Sequence, residues 1–437
     1  MNALINTLKN YYTTHLKKSE PSILSGVVLI VATGIGAGMF SLPVIMAGAW
    51  YTWSAITLVI TGIVMLLTGL MMIEVNTHFE NNASFDTFSK TLLGNKWSIA
   101  VGISVAFVLY IITYAYLSGT SSILAKTLNE LFISKFFGTT VESKKLQIIC
   151  IIIVTFLVGF ITSCSSNWVG RITIVLLFGK FIAFFMTFYG LVPHIELGKL
   201  FDTAGIGREN NTYFSYIFII FPYCIVSYVY QSSVPSLVKH FNGNSTKVAK
   251  SVIYSVAFMI AFYVFWITVI MGNISRDDFG PIIEAGGQID IFVSTLSNII
   301  ASQYMDIILI FFGNFAFATS LLAATLGLFD YIADLAKFDN SFKCRLKTSC
   351  LTYLPPAIVC AFYPTGFLHA IGAAGFFITF WSIILPPLLV KSARRSLPYP
   401  SYRAPINAIG LNAIIAIGLL VYIFMVLEFF GVLPTYK

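Results

Sequence analysis

The chain has 437 residues, of which 57% are hydrophobic and only 10% charged, where a soluble domain carries about a quarter charged residues. That balance excludes an ordinary soluble enzyme and fits an all-α integral membrane protein of about eleven spans, with no room for a separate soluble domain. A net charge of +8 raises nucleic acid as a partner, but the basic residues cluster in alternate loops, which the positive-inside rule explains without one.

Residues 1–21 are polar and basic and read as a cytoplasmic N-terminal segment rather than a cleavable signal peptide. Residues 22–437 read as a single transmembrane transporter domain. Its apolar runs fall at about 22–49, 53–75, 98–128, 146–166, 172–193, 213–238, 248–271, 305–335, 348–363, 367–390 and 404–430. The piece at 289–300 is too short to span and reads as a surface or re-entrant helix. Roughly twice as many Lys and Arg fall in the loops assigned inside as outside, which predicts a cytoplasmic N-terminus and a periplasmic C-terminus.

Span one is interrupted by Gly34-Ile35-Gly36-Ala37-Gly38-Met39, flanked by Thr33, Ser41 and Pro43. Three glycines in five residues are poor helix material. A dinucleotide-binding loop needs a preceding strand and a soluble helix, and neither context exists here. Two readings survive. Gly34 and Gly38 form a GxxxG pair that lets helices pack closely. Alternatively, the helix is broken at the membrane midplane, where freed N–H groups from Gly36 to Met39 face a substrate carboxylate and carbonyls of the inner half face its ammonium.

Span three carries Tyr110, Thr113, Tyr114 and Tyr116, an aromatic face that serves packing or a substrate ring. Span five carries Lys180 about nine residues in, roughly 13 Å deep and near the middle of a ~30 Å hydrocarbon core. A charge there costs at least ~2.5 kcal/mol, so it is paired, wet or functional. Lys180 reads either as a proton-coupling group or as a structural lysine bonded to carbonyls of a neighbouring helix.

Span six places Pro222 and Pro235 around the polar stretch Ser227-Tyr228-Val229-Tyr230-Gln231-Ser232-Ser233. Two interrupted spans, five apart and opposite in direction, are what a five-plus-five inverted repeat requires. Repeat one would cover about 22–193 and repeat two about 213–390, with an extra helix at about 404–430. On span eight, Asn314, Thr319, Ser320 and Thr325 serve helix pairing or the site. Glu74, Asp330 and Glu428 read as boundary residues, with Lys90 a possible counterion for the inner acids. The six cysteines form no CxxC pair and the five histidines have no metal-ligand spacing. No catalytic constellation points to an enzyme, and no cofactor or metal is expected.

The segments GIGAGMFSLPVIMAGAW (34–50), GLMMIEVN (69–76), SFDTFSKTLLGNKW (84–97), AFVLYIITYAYLS (106–118), VPSL (234–237), MGNISR (271–276), GGQID (286–290), TLGLFDYIADL (325–335) and LPP (354–356) together resemble the bacterial hydroxy/aromatic amino acid permease family. The resemblance covers nearly the whole chain and is strongest to its tryptophan-specific permeases. The family is similar to the wider amino acid–polyamine–cation superfamily. That implies a LeuT-like fold with broken helices one and six, and substrate held between them. It also implies proton symport of aromatic amino acids, L-tryptophan first, across the bacterial inner membrane by alternating access. Lys180 matches a span-five lysine that stands in the sodium position of sodium-coupled relatives.

The resemblance breaks at Gln231 and Ser232, where family members carry histidine and glycine. Glutamine cannot titrate, so a proton role is not carried over there. Tyrosine or phenylalanine as main substrate, and Na+ in place of H+ as coupling ion, therefore stay open. The expected site comprises Gly34, Ile35, Gly36, Ala37, Gly38 and Met39, with the ring against Tyr110, Tyr114, Tyr228 or Tyr230. Gln231, Asn314 and Ser320 complete it, and Lys180 couples the proton. The expected partners are an aromatic amino acid and the lipid bilayer, and the working unit is a monomer.

Overall fold

A computed structural model describes residues 21–79, 85–164, 166–205, 213–300, 303–339 and 341–436. The segment expected to be cytoplasmic, 1–21, lies outside the described residues but for its last one. Among the described residues there is no strand.

Helix α1 (Ile23–Gly34) starts at Ser22, whose side chain accepts from the Ser25 N–H, and stops where the glycine run begins. A 3₁₀ turn (Ala37–Phe40) leads into α2 (Ser41–Met46), and the two halves meet at 53°. Then follow α3 (Trp50–Asn76), the short α4 (Phe85–Leu93), α5 (Asn95–Leu128), α6 (Ser143–Cys164) and α7 (Ser166–Leu191). The second half comprises α8 (Ile217–Ser227), α9 (Val234–His240), α10 (Ser245–Asn273), α11 (Ile289–Ile300) and α12 (Gln303–Ala336). It closes with α13 (Phe342–Phe362), α14 (Phe367–Thr379), α15 (Leu385–Ser396) and α16 (Ala408–Phe429). The end of the bundle where α1 begins and α3 finishes is called proximal here, and the other distal.

Nine helical segments among the described residues are long and apolar enough to cross a membrane, ten when the bent pair α1–α2 counts as one span. The expectation was eleven. The run at 348–363 does form α13, but its first half carries Lys343, Arg345 and Lys347, and Pro355 and Pro356 lie inside it. Those residues leave it less apolar than its neighbours. Arg345 turns inward and donates to the Ser163 carbonyl at the end of α6. As expected, α11 is too short to span, since twelve residues rise only about 18 Å.

Helix α7 shows why the bundle belongs in lipid. Ile174, Val175, Phe178 and Phe185 are largely exposed on one face, while Lys180, Ala183 and Thr187 are buried on the other. An apolar exposed face of this extent is stable only against hydrocarbon. The protein is therefore a multi-pass membrane protein. Helices α3 and α10 pack together at its core, α12 lies between α5 and α7, and α14 packs on α5.

Glu74, fully buried near the proximal end of α3, meets neither water nor Lys90. Arg394 of α15 grips both its oxygens, at 2.6 and 2.8 Å, and the Ala404 N–H donates to it at 2.8 Å. A bidentate pair of this geometry satisfies the charge that burial would otherwise penalise.

Candidate functional site

The glycine run opens the backbone of span one at two residues. Ile35 ends α1 and Gly36 is extended, which frees carbonyls on one side and N–H groups on the other. Four backbone groups of the break meet side-chain partners. The Gly34 carbonyl lies 3.0 Å from the Tyr263 hydroxyl of α10. The Ile35 carbonyl accepts from the Lys180 ammonium at 3.2 Å. The Ala37 N–H donates to Ser320 Oγ of α12 at 2.8 Å, and the Met39 carbonyl accepts from the Trp266 indole at 2.9 Å.

The second interruption spans Tyr228–Ser233, between α8 and α9, with a 3₁₀ turn at Gln231–Ser233. The carbonyl of Ser227, at the negative end of α8, lies 2.8 Å from the same Tyr263 hydroxyl. That hydroxyl has one proton to donate and two half-helix ends to serve, so it ties the two breaks together.

Between the breaks lies a cavity of about 1220 Å³. Its inner wall is Gly34, Ile35, Gly36, Gly38, Lys180 and Ser320. Tyr116, Val226, Ser227 and Val229 add further wall. Towards the proximal end it widens past Val105 and Ile378 to a mouth lined by Asp86, Lys239 and Asp334. Towards the distal end it is sealed. Phe40, 2% exposed, packs on Trp266, Phe292, Phe312 and Phe317 with ring centroids 5.3–6.2 Å apart. Gly36 is held to minimal size, because an added Cβ would sit 3.3 Å from Ser320 Oγ and 3.5 Å from the Tyr116 hydroxyl.

The expected site residues divide in two. Gly34, Ile35, Gly36, Gly38, Ser320 and Lys180 converge on the cavity. Ala37 and Met39 belong to the same break but are buried behind its surface. Tyr110 and Tyr114 turn away, donating to the carbonyls of Leu351 and Tyr363 at the α13 side of α5. Asn314 faces α5, donating to Thr127 Oγ1 at 2.7 Å. Tyr228 and Tyr230 are fully buried against neighbouring helices. Tyr230 donates to the Met65 carbonyl of α3 at 2.9 Å, over Gly69, where a Cβ would collide with its ring. Gln231 points the same way, donating to Thr68 Oγ1 at 3.0 Å and accepting from the Tyr230 N–H at 3.1 Å. Here it fixes the break against α3 and does not line the cavity.

Tyr263, Trp266 and Tyr116 are the participants that the sequence reading did not single out as site residues. Tyr263 and Trp266 sit in the aromatic run of α10, where nothing distinguishes them from packing residues. The only available signal is that both carry a hydrogen-bonding tip, which a buried aromatic must satisfy.

The comparisons with known proteins point to one family. The model of the tryptophan/tyrosine permease family matches residues 19–425. A tyrosine permease of Enterobacter agglomerans is 50% identical over 423 residues, covering 97% of this chain and all of the relative. The tryptophan-specific transport protein of Shigella flexneri is 40% identical over 96% of this chain and 98% of its own. The low affinity tryptophan permease of Escherichia coli (strain K12) is 37% identical over 97% and 100%.

Proposed function

This chain belongs to the tryptophan/tyrosine permease family and is a transporter of aromatic amino acids; from that premise we propose that it is a proton symporter working by alternating access. In this reading the spans build a LeuT-like five-plus-five inverted repeat, with α1–α2 as broken span one, α8–α9 as broken span six, α13 as span nine, and α16 as the extra eleventh span. The protein lies in the bacterial inner membrane as a monomer, with its N-terminus cytoplasmic and its C-terminus periplasmic. The cavity then opens to the cytoplasm.

One observation carries the reading. The two broken helices meet at one hydroxyl beside a cavity that is open at one end and sealed by aromatic rings at the other. Substrate carboxylate would take the N–H groups around Gly36 and Gly38, and the side chain would lie towards Tyr116 and Val226. Tyrosine stands beside tryptophan as proposed substrate, because a tyrosine permease is the 50% relative.

Lys180 supports the proton. Its ammonium already occupies the Ile35 carbonyl, in the place that the resemblance gives to sodium in sodium-coupled relatives. Protonation of Lys180 and the shape of the break are thus linked by one hydrogen bond. The test is uptake of labelled tyrosine and tryptophan into proteoliposomes under imposed gradients. Accumulation driven by an inward pH gradient in sodium-free buffer is expected. Uptake that ignores the pH gradient and requires sodium would replace the proton reading with a sodium one. Competition among unlabelled tyrosine, tryptophan and phenylalanine orders the substrates.

A further inference from the structure

A second cavity, about 410 Å³, lies at the proximal end between α15 and α16, away from the transport cavity. Its wall is Lys391, Arg394 and Arg395 from the last turns of α15, Arg403 from the following loop, and Asn407 and Asn412 from the start of α16. Four cations therefore converge on one hollow with no carboxylate in its lining. Among the described residues, Arg394 alone of the four has a carboxylate partner, the buried Glu74 behind the wall. Lys391 is held by the Asn412 side chain, and Arg403 lies over the Tyr399 ring at 5.3 Å. Arg395 is exposed and makes no ion pair among the described residues. Concentrating like charges this way is unfavourable unless an anion joins them.

The surroundings identify the kind of anion. From the hollow, α16 runs across the bundle with Ile409, Leu419, Leu420 and Ile423 exposed on its outer side, a face that only acyl chains can cover. Tyr399, 78% exposed, stands beside the hollow, as interfacial tyrosines do at headgroup level. A basic pocket at the end of an apolar helix face matches an anionic lipid, phosphate inward and chains along the helix. We propose that this hollow is a binding site for the phosphate headgroup of an anionic phospholipid of the leaflet at the proximal end. Bound lipid would bridge α15 to α16, and through Arg394 and Glu74 would brace α3.

The test uses the full-length purified protein and native mass spectrometry with phosphatidylglycerol or phosphatidylcholine, together with thermal unfolding in each. The variant is Lys391→Gln/Arg395→Gln/Arg403→Gln, which spares Arg394 and with it the Glu74 pair. Each surface cation is worth about fivefold in affinity for an anionic membrane, so loss of three predicts a fall on the order of a hundredfold for phosphatidylglycerol. Lys250→Gln, at an exposed lysine of the same end but outside the hollow, should change nothing. Phosphatidylglycerol should raise the unfolding temperature of the wild type and of Lys250→Gln, but not of the triple variant. Equal binding of both lipids, or undiminished phosphatidylglycerol binding by the triple variant, would overturn the proposal. Protection of the wild type by inorganic phosphate or glycerol phosphate, without lipid, would also overturn it and point to a soluble anion. If the triple variant does not fold, Arg395→Gln alone should still lose about fivefold, and no loss there counts against the site.

Discussion

Replacing Lys180 by methionine isolates the proton question. Methionine keeps the length and apolar stem of lysine and removes only the ammonium and its hydrogen bond to the Ile35 carbonyl. A hydrogen bond from a charged group contributes about 1.5–3 kcal/mol, so the break should change its preferred shape by a factor of about 10 to 150. That is enough to alter affinity without destroying the site, because Gly34 and Ala37 keep their own partners, Tyr263 and Ser320. Coupling should suffer far more. For one proton per substrate, a gradient of one pH unit supports roughly tenfold accumulation. The variant has no group at this position to carry the proton, so its internal substrate should rise only to the external concentration. The assay runs two experiments on the same proteoliposomes, exchange of labelled for unlabelled substrate and accumulation under an imposed pH gradient. The expected result is exchange retained and accumulation lost. Tenfold accumulation by Lys180→Met would show that the proton travels elsewhere and leave Lys180 as a structural tie.

Ser320→Ala removes the acceptor for the buried Ala37 N–H and should cost about 1–3 kcal/mol, read as a 5- to 150-fold weaker apparent affinity; Ser320→Thr should restore most of it, and unchanged binding by alanine would remove Ser320 from the site. Gly36→Val should abolish binding measured by substrate-induced thermal shift while leaving the fold intact, since its side chain would press on Ser320 and Tyr116 from the cavity side; a normal shift would mean that the substrate lies elsewhere. Arg394→Leu should lower stability by about 3–5 kcal/mol, because it leaves the buried Glu74 charge unpaired. Adding Glu74→Gln should recover part of that loss in thermal unfolding, and no recovery would show that the charge was not the cause.

The two breaks were legible because backbone chemistry announces itself: glycines at 34, 36 and 38, and Pro222 and Pro235 around a polar stretch, can hardly run as plain helix through lipid. Lys180 was legible because a lone charge at that depth needs a reason. Which tyrosines line the cavity was not, since α5 offers Tyr110, Tyr114 and Tyr116 within two turns, and the choice depends on the neighbour each faces. Tyr110 and Tyr114 find carbonyls on the α13 side, and only Tyr116 looks inward. Asn314 and Ser320 lie six residues apart on α12, roughly 600° of helical turn and about 120° apart around the axis, so the spacing sets them on different faces, and which one meets the cavity depends on the rotation of the helix, fixed by its packing. Gln231 shows the converse. Its substitution for a titratable residue was legible, but its engagement with Thr68 comes from the path of α3.

In the proposed alternating-access cycle, the sealed end sets the energy scale. For the distal side to open, α2 must move away from the bundle. Among the hydrogen bonds of the described residues, three of the best formed stand in the way. Trp266 donates to the Met39 carbonyl, and Arg276 donates to the carbonyls of Ala47 and Gly48 at the far end of α2, at 3.1 and 2.7 Å. Arg276 is itself held by Asp202 and flanked by the rings of Tyr213 and Tyr436. With about 1 kcal/mol for the neutral bond and about 1.5–3 for each charged one, opening costs about 4–7 kcal/mol before the Phe40 ring contacts are counted. Moving a two-state equilibrium from one side to the other takes about 5.5 kcal/mol. In the proposed cycle, the cost of distal opening is thus of the size that substrate and proton would have to supply on the other face. Because the Tyr263 hydroxyl contacts the ends of both α1 and α8, that energy would reach the two broken helices together, as the proposed alternating access requires.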